Sequence, residues 1–168
     1  MVEALPLLVF AGLLVYAACS DIATMTIPNW VSIALAALFP IVALVAGVPP
    51  AAIGIHLLFG AAVLLVGFAL FQFNILGGGD AKLIAAAAVW TGIAAFGSFA
   101  LWTAVAGGLL ALTLLILRWM LKPAETRPAF VNRLLTAKGG VPYGVAILAG
   151  GLMAIESLPI ASTSLTMP

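Results

Sequence analysis

Charge is what this sequence has least of. Of 168 residues only 7% are charged, six basic and five acidic, while 65% are hydrophobic, and the mean hydropathy is +1.33. A soluble domain is nearer half apolar and a quarter charged, so this composition cannot furnish a water-facing surface and predicts an integral membrane protein. No basic face with interleaved aromatics is present, which excludes nucleic-acid binding, and a net charge of +1 identifies no other partner. Cysteine is nearly absent: Cys19 stands alone, which excludes an internal disulfide or a CxxC metal site and leaves it as a small apolar residue at a helix end. Histidine is as scarce. His56 has no second histidine to form a metal pair, so it reads as structural, and neither a metal nor another cofactor is expected.

What the chain has instead is long apolar runs. Stretches such as "AAVLLVGFALF" are apolar all round rather than alternating, as in membrane helices and not in the strands of a membrane barrel. A crossing takes roughly 20 residues, so the length allows about six and leaves nothing for a soluble domain. Breaks at charge, Pro or Gly predict helices at about 4–20, 29–47, 51–75, 81–97, 98–121 and 141–160. "AGVPPAA" marks a tight turn after the second. The break near "AAFGSF" is weak and allows a single kinked segment, and the polar "RWMLKPAETRPAFVNRLLTAKGG" precedes the last helix. The opening "MVEALP" has an acid and no basic n-region, so the first run reads as a retained helix rather than a cleaved signal. The tail "STSLTMP" reads as frayed. The expectation is one all-α bundle over residues 1–168, without internal repeats.

Bases accumulate in cytoplasmic loops. Arg118, Lys122, Arg127, Arg133 and Lys138 fall in or beside the loop before the last helix, and Lys82 follows the third. With six crossings those loops share a side with residues 21–28, which predicts a cytoplasmic face there and both termini outside. Glu3 and Glu156 then fall toward the outside, and Glu125 is solvated in the basic loop.

Asp21 follows the first helix and Asp80 precedes the fourth, on one face at matched depth. Either alone can snorkel or complement a helix N-terminus. Two in a chain with five acids point to function, because ionisable groups at membrane depth usually have one. Paired carboxylates hydrolyse an amide when they share one proton: the ionised one draws a proton from water and the protonated one polarises the carbonyl. Like charges at close range resist double ionisation, which supplies that shared proton. In "NILGGGDAKL" the glycines tolerate close backbone approach, letting a substrate strand lie beside Asp80; a flexible turn would also explain them. "SDIATMTIPNW" places Asp21 before a short polar loop, with Pro28 stiffening the next helix and Asn29 as its expected cap.

"DIATMTIPN", "GGGDAKL" and the late "GGVPYGVAI" together resemble the type IV prepilin peptidase family of GxGD membrane aspartyl proteases, over essentially the whole chain. The resemblance implies removal of the short basic leader from type IV prepilins or prepseudopilins at the cytoplasmic face of the bacterial inner membrane. Asp21 and Asp80 match the catalytic aspartates, Gly77 and Gly79 the glycines of GxGD, and Gly78 the variable position. Pilus or secretion machinery is the implied partner, with the lipid bilayer. Larger members carry a zinc-binding cytoplasmic domain with cysteine pairs and also N-methylate the pilin. This chain has one cysteine and is closer to the short peptidases of tight-adherence (Flp) pilus systems, so no methyltransferase activity is expected. Its loop after Asp21 departs too: relatives commonly carry bases there, as in "DLRTRRIPN", and "ATMT" has none.

Lys82 matches "GDxKL", where it acts on a nearby acid or on substrate, or simply anchors topology. Pro142 and Tyr143 open the last helix and match the late motif, with roles in shaping the site or as ordinary helix punctuation and interfacial aromatic. The pairs Gly107–Gly108 and Gly150–Gly151 read as close helix packing. Three rivals stand beside the peptidase: a small transporter or proton-conducting subunit, which favours acids near the midplane; a non-catalytic assembly subunit, which tolerates loss of the aspartates; and a presenilin-like protease, which usually has more spans.

Overall fold

Proline introduces four of the helices. Its fixed φ is already helical and its missing N–H is one that a first turn leaves unpaired anyway. Pro28 precedes α2 (Asn29–Val45), Pro49 precedes α3 (Pro50–Gln72), Pro128 precedes α5 (Ala129–Leu135) and Pro142 precedes α6 (Tyr143–Met153). The other two are α1 (Leu5–Thr24) and α4 (Gly78–Met120), and a short 3-10 turn, Ile155–Ser157, follows α6. The computed structural model describes residues 5–121, 124, 126–136 and 139–158, and no strand occurs among them. The protein is all-α. Glu3, Lys122, Glu125, Lys138 and the "STSLTMP" tail lie outside the described residues.

The sequence places a weak break near residues 97–98, but the chain turns at Gly92. There φ is 58° and ψ is −173°, a conformation essentially restricted to glycine. Gly97 stays helical in open surroundings. The bend divides α4 into residues 78–91 and 93–120, roughly 20 Å and 40 Å long. His56, on α3, sits in the crook. Its Nδ1 donates to the Val89 carbonyl at 2.7 Å, its ring stacks on Phe39 at 5.0 Å, and a Cβ on Gly92 would overlap it.

The core lies just before that bend. Trp90 is fully buried, its ring 5.3 Å from Phe10 and 5.7 Å from Phe39, and its Nε1 donates to the Leu35 carbonyl of α2 at 2.7 Å. One hydrogen bond thus ties the two helices at their most apolar layer. The α6 helix packs on α1 and α4 through glycines: a Cβ on Gly150 would strike Thr103, one on Gly151 would strike Leu14, and Gly107 lies flat under the Tyr143 ring. Gly108 does not join this packing, because nothing lies within 4 Å of its absent Cβ.

The outside is apolar. Val45 is 79% exposed, Leu65 72% and Trp119 87%, surface that water would penalise and lipid would not. Among the described residues three helices are long and apolar enough to cross a membrane: Pro6–Thr24, Pro50–Gln72 and Gly78–Met120. The apolar helices Asn29–Val45 and Tyr143–Met153 are shorter. The α5 helix was not anticipated; its seven residues sit inside the polar stretch read as loop.

Candidate active site

Both aspartates lie within helices, not beside them. The α1 helix runs past Asp21 to Thr24 because its last turn is well closed. Met25 takes a left-handed conformation (φ 56°) and its N–H donates to the Asp21 carbonyl at 2.8 Å, an αL end to the helix. The Thr24 hydroxyl donates to the Ser20 carbonyl at 2.8 Å and the Ser20 hydroxyl to that of Thr26 at 2.9 Å. The α4 helix starts at Gly78, so Asp80 occupies its third position, where an acid complements the N-terminal dipole and reaches back to the start of the helix.

Asp21 is buried, 6% exposed. Its Oδ2 accepts a 2.7 Å hydrogen bond from the Gly144 backbone N–H in the first turn of α6, where unpaired N–H groups favour an anion. No other hydrogen bond within the described residues is given to this carboxylate, so Oδ1 is left for water or substrate. Asp80 is half-buried and meets the backbone of Gly77; a Cβ at Gly77 would lie 2.5 Å from Asp80 Oδ2. The end of α1 and the start of α4 stand on the same side of the bundle, near enough for the charge on Asp21 to reach Asp80.

The glycine turn is required by space. Gly77 leaves room for the Asp80 carboxylate. Gly79 abuts Ile27, whose Cβ would be 3.3 Å from a Cβ there, and Gly78 abuts the Phe71 ring at 3.3 Å. On the far side a Cβ on Gly144 would stand 3.1 Å from both Cβ and Oδ2 of Asp21. Gly144 was not singled out from the sequence, although it belongs to the late "PYG" stretch; a backbone N–H leaves no side-chain signature.

The remaining expected residues separate into two groups. Pro142 and Tyr143 stand beside Gly144 because they start α6 immediately before it, with Tyr143 half-buried against Gly107. Lys82 points the other way: its Nζ donates to Asn29 Oδ1 at 2.9 Å. Asn29 is not the cap of α2. Pro28 holds that position with φ −61° and ψ 136° and makes no side-chain bond, which frees the Asn29 amide for Lys82. Among the described residues no three His, Cys, Asp or Glu side chains gather as a metal-ligand set.

The type IV leader peptidase family matches residues 8–112, a span that holds both aspartates and the glycine turn. The chain belongs to the type IV leader peptidase family. No curated protein and no solved structure matches it. Membership makes it a type IV leader peptidase-like membrane protease at the level of the family, with prepilins as the kind of partner such peptidases take. The α6 turn that grips Asp21 lies beyond the matched span.

Proposed function

We propose that this protein is an aspartic endopeptidase of the bacterial inner membrane that removes the short basic leader from type IV prepilins or prepseudopilins, with Asp21 and Asp80 as its catalytic pair. The observation that carries this reading is the placement of two carboxylates in terminal helix turns, Asp21 gripped by the Gly144 N–H and Asp80 beside a glycine turn, both inside the family-matched span. Counting α4 as two crossings at its Gly92 bend, with α1, α2, α3 and α6, gives about six, and positive loops then put the pair at the cytoplasmic face.

In the proposed reaction the carboxylate of the pair that is ionised takes a proton from a water held between them, and the water oxygen attacks the scissile carbonyl. The protonated partner hydrogen-bonds the carbonyl oxygen as it gains charge. The tetrahedral adduct then collapses, the C–N bond breaks, and a proton passes to the leaving amine, which restores the singly protonated pair. A helical amide has its carbonyl engaged, so the leader must be extended at the cut. The exposed backbone at Gly77, beside Asp80, is where that strand would pass.

Position argues against a proton-conducting subunit, since Asp21 occupies the last turn of α1 and Asp80 the first of α4 rather than facing positions near the midplane. The test is co-expression of wild type, Asp21→Asn and Asp80→Asn with a small prepilin of the same genome, scored by gel shift and N-terminal sequencing. Each isosteric change should lower processing by at least about 1,000-fold while membrane levels stay normal, since it removes a group acting only in the transition state. Substantial cleavage by either variant removes that residue from the mechanism.

A further inference from the structure

Arg118 takes no part in the reaction above, yet it ties the last turn of α4 to the entry of α6. The half-buried side chain gives two donors to main-chain oxygens of separate segments. Its Nε donates to the Leu134 carbonyl at 2.7 Å and its Nη2 to the Gly140 carbonyl at 2.8 Å. The first acceptor belongs to the last turn of α5, where carbonyls lack helical partners. The second lies in residues 139–142, which have no regular secondary structure and lead directly into α6.

That entry has little else to hold it. The Gly139 N–H donates to the Thr136 carbonyl at 2.8 Å. Among the described residues no hydrogen bond other than that of Arg118 reaches the backbone of Gly140 or Val141, and Pro142 has no N–H to give. The guanidinium comes in close: a Cβ on Gly139 would stand 2.7 Å from the Arg133 carbonyl and 3.1 Å from Arg118 Nη2. Met25, whose N–H closes the turn at Asp21, packs against the same entry, since its Cε would be 3.0 Å from a Cβ on Gly140. Four residues past Gly140, and so at most about 13 Å of chain away, the Gly144 N–H meets Asp21 Oδ2 at 2.7 Å.

Glycine packing fixes the axis of α6, but the aim of an N–H in its first turn also depends on where the chain enters. We propose that Arg118 is a positioning residue of the peptidase: by bridging the Leu134 and Gly140 carbonyls it fixes that entry, and through it the aim of the Gly144 N–H at Asp21. The proposal rests on the peptidase reading above. A planar guanidinium offers two nitrogens at fixed separation to two acceptors, whereas a lysine offers one. A base that only marked topology would serve equally well as lysine, so the two roles separate on a substitution that keeps the charge.

The test is steady-state cleavage of a purified candidate prepilin in detergent by full-length wild type, Arg118→Lys, Gly144→Ala and the double variant. Arg118→Lys should lower kcat about tenfold with KM within about twofold, since the bond it supports acts on a reacting group. The double variant should fall within about twofold of Gly144→Ala alone, because both changes act through one bond and their losses do not add. Three outcomes overturn the proposal and leave the peptidase standing: losses that multiply in the double variant, a kcat for Arg118→Lys within about twofold of wild type, or a change confined to KM. A wild-type chain that leaves the prepilin uncut overturns both. A second assay does not depend on the stability of the lysine variant. Arg118→Ala, in native membranes at levels matched to wild type, is given the prepilin with ethylguanidinium or ethylammonium. Cleavage should recover by at least about fivefold with the first and not with the second, because the planar fork is what the variant lacks. Equal recovery with both, or none with either, overturns the assignment.

Discussion

Gly144→Ala isolates the role of α6, because it leaves both carboxylates and every side chain of the dyad in place. The added methyl would stand 3.1 Å from Cβ and Oδ2 of Asp21 and 3.4 Å from the Ala17 carbonyl. Contacts that short force the start of α6 away from α1 by a few tenths of an ångström. The 2.7 Å bond from the Gly144 N–H to Asp21 Oδ2 then stretches toward the limit of about 3.2 Å for a useful N–H···O bond. Hydrogen bonds to charged groups contribute about 1.5–3 kcal/mol. If most of that is lost in the transition state, the rate falls by about 10- to 150-fold at 1.36 kcal/mol per tenfold.

The assay is steady-state cleavage of a purified prepilin in detergent, at matched enzyme concentration. The loss should appear in kcat with KM nearly unchanged, because the bond acts on a reacting group and not on remote substrate. Gly108→Ala is the control: nothing lies within 4 Å of its added methyl, so activity should match wild type. A Gly144→Ala enzyme within about twofold of wild type would refute the claim that α6 positions Asp21.

Gly92→Ala should be costly to the fold. The φ of 58° at Gly92 is worth about 1–3 kcal/mol of strain for an L-residue before the overlap with His56, so the midpoint of thermal unfolding in detergent should drop by about 4–10 °C; an unchanged midpoint would mean that α4 does not need this bend. Trp90→Phe keeps most of the buried ring and leaves the Leu35 carbonyl without its donor, a loss of about 1–3 kcal/mol read in the same melt. Thr103→Val should go the other way, since the Thr103 hydroxyl is buried with no hydrogen-bond partner among the described residues. Its removal is expected to be neutral or stabilising by up to about 1 kcal/mol, and a clear drop would show that the hydroxyl is satisfied in the membrane.

The membrane class was legible from composition and the all-α fold from runs that are apolar all round rather than alternating, and the aspartates stood out because so little else in the chain is charged. Their placement relative to the helices was not legible. Hydropathy ends a run at the first acid, whereas Asp21 stays in α1 through hydroxyl-to-carbonyl bonds of Ser20 and Thr24 that a polarity profile counts as loop. The bend in α4 shows a different limit: Gly92 and Gly97 look alike in sequence, and what separates them is a φ enforced by packing against His56. Asn29 was misread because a good cap residue follows a proline that takes the cap position itself. Gly144 escaped for the plainest reason, since it acts through its backbone and through having no side chain.

The base-free loop after Asp21 shows how a local reading of charge goes astray. "ATMT" supplies no cation, yet the turn at the end of α1 is not without one. The Arg133 guanidinium, from α5, donates to the Ala23 carbonyl at 2.8 Å across 110 residues of sequence. Arg118 braces the same region, giving Nε to the Leu134 carbonyl at 2.7 Å and Nη2 to that of Gly140 at 2.8 Å. The last carbonyls of a helix are unpaired and carry its negative dipole end. A base on them satisfies an acceptor and, at about 0.3–1 kcal/mol, ties α5 to the turn that holds Asp21. Two arginines of the polar loop, read from sequence as markers of topology, are therefore also struts of the candidate site. The seven-residue α5 that carries one of them is the element a hydropathy reading passes over.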